Sequence, residues 1–139
     1  MYIFLSSEDY NNYFTDVKPY SFSTRLAKRL DLEGEWECCL KELLIRRKSS
    51  LEGYFLLTTN LVHPSNAHGR DLPVLRTFDL QADNQTRRTL DKFVYDSGYY
   101  FPLRSNQHYM VEISIQDRDL KYPVGIEGVT CVLHLRRVS

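Results

Sequence analysis

Apolar and polar residues alternate most strictly near the C-terminal end of the chain. In His108-Tyr-Met-Val-Glu-Ile-Ser-Ile-Gln116, Tyr109, Val111, Ile113 and Ile115 fall on one face, with His108, Glu112, Ser114 and Gln116 on the other. A period of two is that of a half-buried strand. Val129-Thr-Cys-Val-Leu-His-Leu-Arg136 repeats it, with Val129, Cys131, Leu133 and Leu135 on one face and Thr130, His134 and Arg136 mostly on the other. The segment between, residues 117–128, carries one proline and two glycines and predicts a turn or a long hairpin end. Shorter strands are predicted over residues 2–5, 21–26, 54–62 and 74–80, with a pair over 93–95 and 99–103 set about Ser97-Gly98. Each is rich in β-branched or aromatic residues and bounded by turn formers.

One segment departs from this pattern. In Glu35-Trp-Glu-Cys-Cys-Leu-Lys-Glu-Leu-Leu-Ile45, the residues Trp36, Cys39, Leu40, Leu43 and Leu44 recur at i, i+3, i+4, i+7 and i+8. Periodicity alone favours an amphipathic helix there. A strand puts Trp36, Cys38 and Leu40 on one face, and needs a bulge or a doubly buried stretch to accommodate Leu43, Leu44 and Ile45. A second short helix is open over residues 86–94, where Leu90, Phe93 and Val94 can share a face. The spacing of the candidate strands, about 10 to 20 residues, fits an antiparallel sandwich or barrel better than βαβ units.

The 139 residues are read as one domain, 1–139, long enough to bury a core without disulfide or metal support. Lys and Arg total 18 and so do Asp and Glu, which removes the electrostatic footprint of a dedicated nucleic-acid binder. The basic pairs and triplets Arg46-Arg-Lys48, Arg87-Arg88 and Arg136-Arg137 read as solvated strand ends or salt-bridge partners. Three cysteines, two of them adjacent as Cys38-Cys39, form no CxxC pair and are expected to be reduced and buried. The N-terminal residues carry no basic charge ahead of the apolar ones, so no signal peptide is expected, and no apolar run approaches a membrane span.

Candidate chemistry is sparse. The histidines His63, His68, His108 and His134 form no HxH or HxxxH pair, and His108 and Glu112, although on one strand face, lie about 13 Å apart at about 3.3 Å per residue. No GxSxG, reactive-cysteine signature or phosphate-cradling glycine loop occurs. The expectation is a non-enzyme with no cofactor and no metal. The aromatic group Tyr10, Tyr13 and Phe14, together with Tyr99 and Tyr100, supplies the candidate partner-interface residues, because Tyr and Phe are enriched at interface centres.

Four stretches carry a resemblance beyond periodicity. They are Tyr2-Ile-Phe-Leu-Ser-Ser; Phe22-Ser-Thr-Arg-Leu with Leu32-Glu-Gly-Glu-Trp-Glu37 and Glu42-Leu; Leu72-Pro-Val-Leu-Arg76; and a tail running from Tyr99-Tyr-Phe-Pro-Leu103 through Glu112-Ile-Ser-Ile-Gln-Asp117 to Val132-Leu-His-Leu-Arg-Arg137. Together they resemble a minor capsid, penton-like protein family of Maverick/Polinton elements and adintoviruses, with its L-x-G-x-W-E, Y-x-P-L and L-H-F-R motifs in the same order. Leu135 stands where that family has Phe. The resemblance implies a single jelly roll of about eight antiparallel strands, with the Trp36 segment as a strand and Trp36 in the core. It also implies a structural virion protein that forms a homo-pentamer at icosahedral vertices and contacts the major capsid protein, with no direct nucleic-acid or membrane partner. Residues 6–16 and the turn at Tyr99-Tyr100 are then the expected contact patches. The alternative from another class is a ligand- or glycan-binding jelly roll using Tyr10, Asn11, Asn12 and Tyr13; a cupin-type metalloenzyme is disfavoured by the missing HxH pair.

Overall fold

The computed structural model describes residues 1–8 and 18–138, and these form an all-β chain with no helix. Eleven strands occur: β1 Tyr2–Ser6, β2 Ser21–Asp31, β3 Trp36–Lys48, β4 Gly53–Thr59, β5 Ser65–Ala67, β6 Arg70–Leu72, β7 Val74–Leu80, β8 Arg88–Val94, β9 Phe101–Pro102, β10 Gln107–Asp117 and β11 Ile126–Arg137. Two antiparallel sheets, ordered β1-β11-β3-β8 and β2-β10-β4-β7, make a β-sandwich, with β9 also on β3 and β5-β6 as a separate hairpin. The core lies between them, built from Ile3, Leu5, Leu40, Leu43, Ile45, Leu133 and Leu135 on one side and Phe22, Phe55, Leu57, Val111, Ile113 and Ile115 on the other.

The segment with helical spacing is a strand, and one extra residue explains its pattern. Leu40 pairs with Leu133 and Glu42 with Val132, so Lys41 is unpaired and the phase of β3 changes at that point. Cys38 and Leu40 face the core before the bulge; Leu43, Ile45 and Arg47 face it afterwards. Cys39 and Leu44 lie on the outer face, and apolar residues on both faces of a bulged strand imitate a 3.6-residue period. Residues 88–94 are likewise strand rather than helix. They do not form a hairpin with 101–102: both pieces run antiparallel along β3, one opposite Glu42 to Lys48 and the other opposite Glu37 and Cys38.

Two further side-chain assignments change, the first through another register shift. Opposite Tyr109 the register of β2 jumps from Leu30 to Arg25, so that Tyr109 points outward and is exposed while His108 turns inward, its Nε2–H donating to the Ser105 carbonyl at 2.8 Å. Trp36 is not at the centre of the core; it is half-buried at the sandwich end, its indole N–H donating to the Glu33 carbonyl at 2.7 Å. Val129, Cys131, Leu133 and Leu135 all face the core as the alternation predicts.

The phase change also drives a charge inside. Arg47 is 1% exposed. Its Nε donates to Asp91 Oδ2 at 2.6 Å, and its other nitrogens donate to the carbonyls of Gln81, at 2.7 Å, and Leu51. Gln81 follows β7 and Leu51 precedes β4, both in the opposite sheet, so one guanidinium ties the two sheets together at this end. Removing a partner from a buried pair strands the remaining charge. Asp91→Ala is therefore expected to lower unfolding free energy in urea by about 3 kcal/mol, whereas Arg88→Ala, which breaks the largely exposed pair with Glu127, costs under about 1 kcal/mol.

All three cysteines are free and buried. Burial pushes the Cys131 thiol up to about 12, and burial followed by the neighbouring Cys39 and Cys131 raises that of Cys38 still further. The thiolate is the reactive form. A thiol-reactive chromogenic disulfide is expected to label none of the three in the native protein at pH 8 and all three once urea unfolds it; fast labelling of the native chain would contradict this packing.

Candidate interaction surface

On the outward side of the β1-β11-β3-β8 sheet, exposed apolar residues gather near β1. Registers across the sheet align them in rows. Phe4 lies opposite Val132, Val132 opposite Glu42, and Glu42 opposite Val94; one row along, Tyr2 lies opposite His134 and His134 opposite Cys39. Phe4 is 72% exposed and Tyr2 56%. With Val94 and Val132 they line a shallow groove of about 350 Å³ whose charged residues, Lys41, Glu42 and Asp96, are of both signs. The outward side of the second sheet is different in kind: Glu112, Ser114 and Gln116 on β10 and Thr77 and Asp79 on β7 are polar.

Tyr100 belongs to the apolar side. Its hydroxyl is 2.8 Å from His134 Nδ1, and the Arg136 guanidinium carbon lies 3.5 Å from its ring centroid. Arg136 is fixed in turn by Glu37, Nε to Oε1 at 2.5 Å. The Tyr2 ring packs on His134 with centroids 4.6 Å apart. Gly98 permits this approach: a Cβ there would stand 2.8 Å from Cys39 Sγ and 2.9 Å from Tyr100 Cε2.

Tyr99, its neighbour in sequence, goes elsewhere. Exposed on one side, it stacks with Tyr95 about the guanidinium of Arg76, whose carbon is 4.3 and 4.0 Å from the two ring centroids. Arg76 stands on β7 of the other sheet, so Tyr99 closes the sandwich flank while Tyr100 joins the outer face. Tyr10, Tyr13 and Phe14 lie outside the described residues. The sequence reading missed Tyr2, Phe4, Val94 and Val132. Its available signal was Tyr2-Ile-Phe-Leu5, apolar at every position, in a strand with only one face on the core.

The other histidines do not converge. His68, with φ of 52°, and Gly69, with φ of 76°, form the two-residue turn of the β5-β6 hairpin, a geometry matching a type I′ turn. The His68 ring meets Tyr54 edge-on at 5.4 Å, and His63 is exposed beyond that hairpin. No group of three His, Cys, Asp or Glu side chains able to hold a metal occurs among the described residues.

Burial lowers the pKa of His134 from its ordinary value, and the N-terminal amino group, Lys41 and Arg136 add to the shift. The fold thus prefers neutral imidazole. The unfolded chain takes up the proton first, so stability contributed by His134 is present above its ordinary pKa near 6.5 and is lost as pH falls below it. Denaturation midpoints are expected to fall between pH 7 and pH 5, and His134→Gln to flatten part of that fall; a variant with an unchanged profile would contradict the assignment.

Comparison with protein-family models, with curated proteins and with solved structures finds no match to this chain.

Proposed function

We propose that this chain is a single jelly roll and a structural subunit of a capsid, of the penton type. The observation that supports it most is strand order. Leaving aside the short β5, β6 and β9, the eight long strands counted in chain order lie 1-8-3-6 in one sheet and 2-7-4-5 in the other. That is the order produced when a long antiparallel hairpin is rolled into two facing sheets, the double Greek key found in viral capsid proteins, lectins and cupins. It agrees with the fold expected from the motif order in the sequence. Jelly rolls serve several functions, so fold alone does not choose among them.

Two features favour assembly over ligand chemistry. Tyr2, Phe4, Val94 and Val132 line the outer groove with one basic and two acidic residues beside them, the composition of a protein contact rather than a glycan or anion site. The interior is filled by packed side chains, and the guanidinium enclosed there, that of Arg47, is taken up by Asp91 and the carbonyls of Leu51 and Gln81. In this reading the subunit acts by assembly, in a closed ring of five that requires two different complementary patches on each copy. It meets the major capsid protein at the vertex, inside the virion, and touches no nucleic acid.

Light scattering or native mass spectrometry is expected to give a discrete pentamer, or a monomer that enters particles once the major capsid protein of the same element is co-expressed. A strictly monomeric chain that also fails to enter such particles would overturn the reading and leave the ligand-binding jelly roll in its place.

A further inference from the structure

Leaving aside the two-residue β9, four strands among the described residues border the two sheets, and three of them are defended against pairing with another chain. The edge strand β2 carries Arg25, Lys28 and Arg29 and loses register with β10. The strand β7 carries Arg76 and Asp79 and is bulged at Leu75; β8 carries Arg88, Asp91 and Lys92. Edge charge and bulges are the ordinary devices that prevent edge-to-edge association. The fourth edge, β1, has neither. Tyr2-Ile-Phe-Leu-Ser6 is uncharged and pairs with β11 in unbroken register.

The hydrogen-bond phase of β1 is set by its first and last pairs. Met1 exchanges bonds with Leu135, with the Leu135 N–H donating to the Met1 carbonyl at 2.8 Å, and the Ser7 N–H donates to the Val129 carbonyl at 2.8 Å. Odd-numbered residues therefore bond to β11, and the N–H and C=O groups of Tyr2 and Phe4 point the other way, where no strand lies among the described residues. These are also the residues with the exposed rings.

We infer that β1 is a homotypic docking edge, at which two copies of this chain pair their β1 strands antiparallel about a two-fold axis at Ile3. In that register Tyr2 stands opposite Phe4 of the second copy and Phe4 opposite its Tyr2. Four backbone hydrogen bonds form, and two cross-strand aromatic pairs sit on the outer face. The four-strand sheet becomes one of eight. A second copy is the occupant because β1 is itself the uncharged, alternating segment that its edge accepts, while pairing onto β2, β7 or β8 of another copy would set charged strands against it. Lys41, Glu42 and Asp96 stand on β3 or just after β8, not on the edge strand itself. The contact is isologous and so distinct from any ring interface, and it does not rest on the capsid reading.

The test is sedimentation equilibrium of the full chain and of three variants, read with amide hydrogen exchange at high and low protein concentration. Phe4→Pro removes an outward-pointing N–H together with the exposed ring but no N–H bonded to β11, and Phe4→Lys adds an edge charge; Tyr109→Lys, at an exposed aromatic of the other sheet, is the control. The expected result is reversible doubling of mass, concentration-dependent protection of the Tyr2 and Phe4 amides, and at least tenfold weaker doubling in both Phe4 variants but not in Tyr109→Lys. Circular dichroism and melting checks that each variant is folded, and amide protection in the wild type stands even where a variant is not. Wild-type protein whose mass never doubles, or doubling unaffected by Phe4→Lys, overturns the inference. A pentamer without doubling would sink this edge and leave the ring intact, while doubling without a pentamer would do the reverse.

Discussion

A guanidinium enclosed in a sandwich constrains everything around it. Arg47 cannot be turned to solvent without shifting Leu43 and Ile45 out of the core, because the three share one face of β3. Nor can it stay inside without acceptors. The chain supplies them from three places: Asp91 on β8, Leu51 in the β3-β4 turn, and Gln81 after β7. Those three contacts fix where the two sheets meet at this end and which strand lies beside β3. An apolar residue of similar size would fill the space, but it would not bond the two carbonyls or specify Asp91 as neighbour.

The origin of that arrangement is the single unpaired residue Lys41. On the N-terminal side of it β3 presents Cys38 inward and Cys39 outward; beyond it the parity is reversed. The outer face of the first half is covered by the 95–100 segment, with Tyr100 and Gly98 over Cys39. Nothing comparable covers the second half among the described residues. The bulge thus separates a strand half clad on both sides from one that contributes to the exposed apolar rows beside Phe4 and Val132. A local backbone irregularity sets the distribution of apolar surface on the whole sheet.

Aromatic residues close the flank between the sheets through cations rather than through one another alone. Arg76 between Tyr95 and Tyr99, and Arg136 over Tyr100, each place a guanidinium on a ring face, where the π quadrupole attracts positive charge. The planar cation also serves as a spacer that a second ring or a carboxylate can cap, as Glu37 does for Arg136. Much of the arginine that balances the acidic residues in the composition is therefore structural.

The sequence by itself determined the stretches of strand whose own alternation carries no extra residue. The alternation of β11 from Val129 to Leu135 places each of its core residues correctly, since period two is a local property of extended backbone. It also carried β1, the bounds of β7 and most of β10. It did not determine the parity of β3 or of the start of β10, because a bulge is a relation between two strands and leaves no mark in either alone. The same limit hid the inward turn of His108, the collinear placement of β8 and β9 on β3, and the divergence of Tyr99 from Tyr100. The exposure of Tyr2 and Phe4 was decided last and only in three dimensions: Tyr-Ile-Phe-Leu reads as a strand buried on both faces, and it is the position of β1 at a sheet edge that leaves one of those faces, and one row of backbone groups, open.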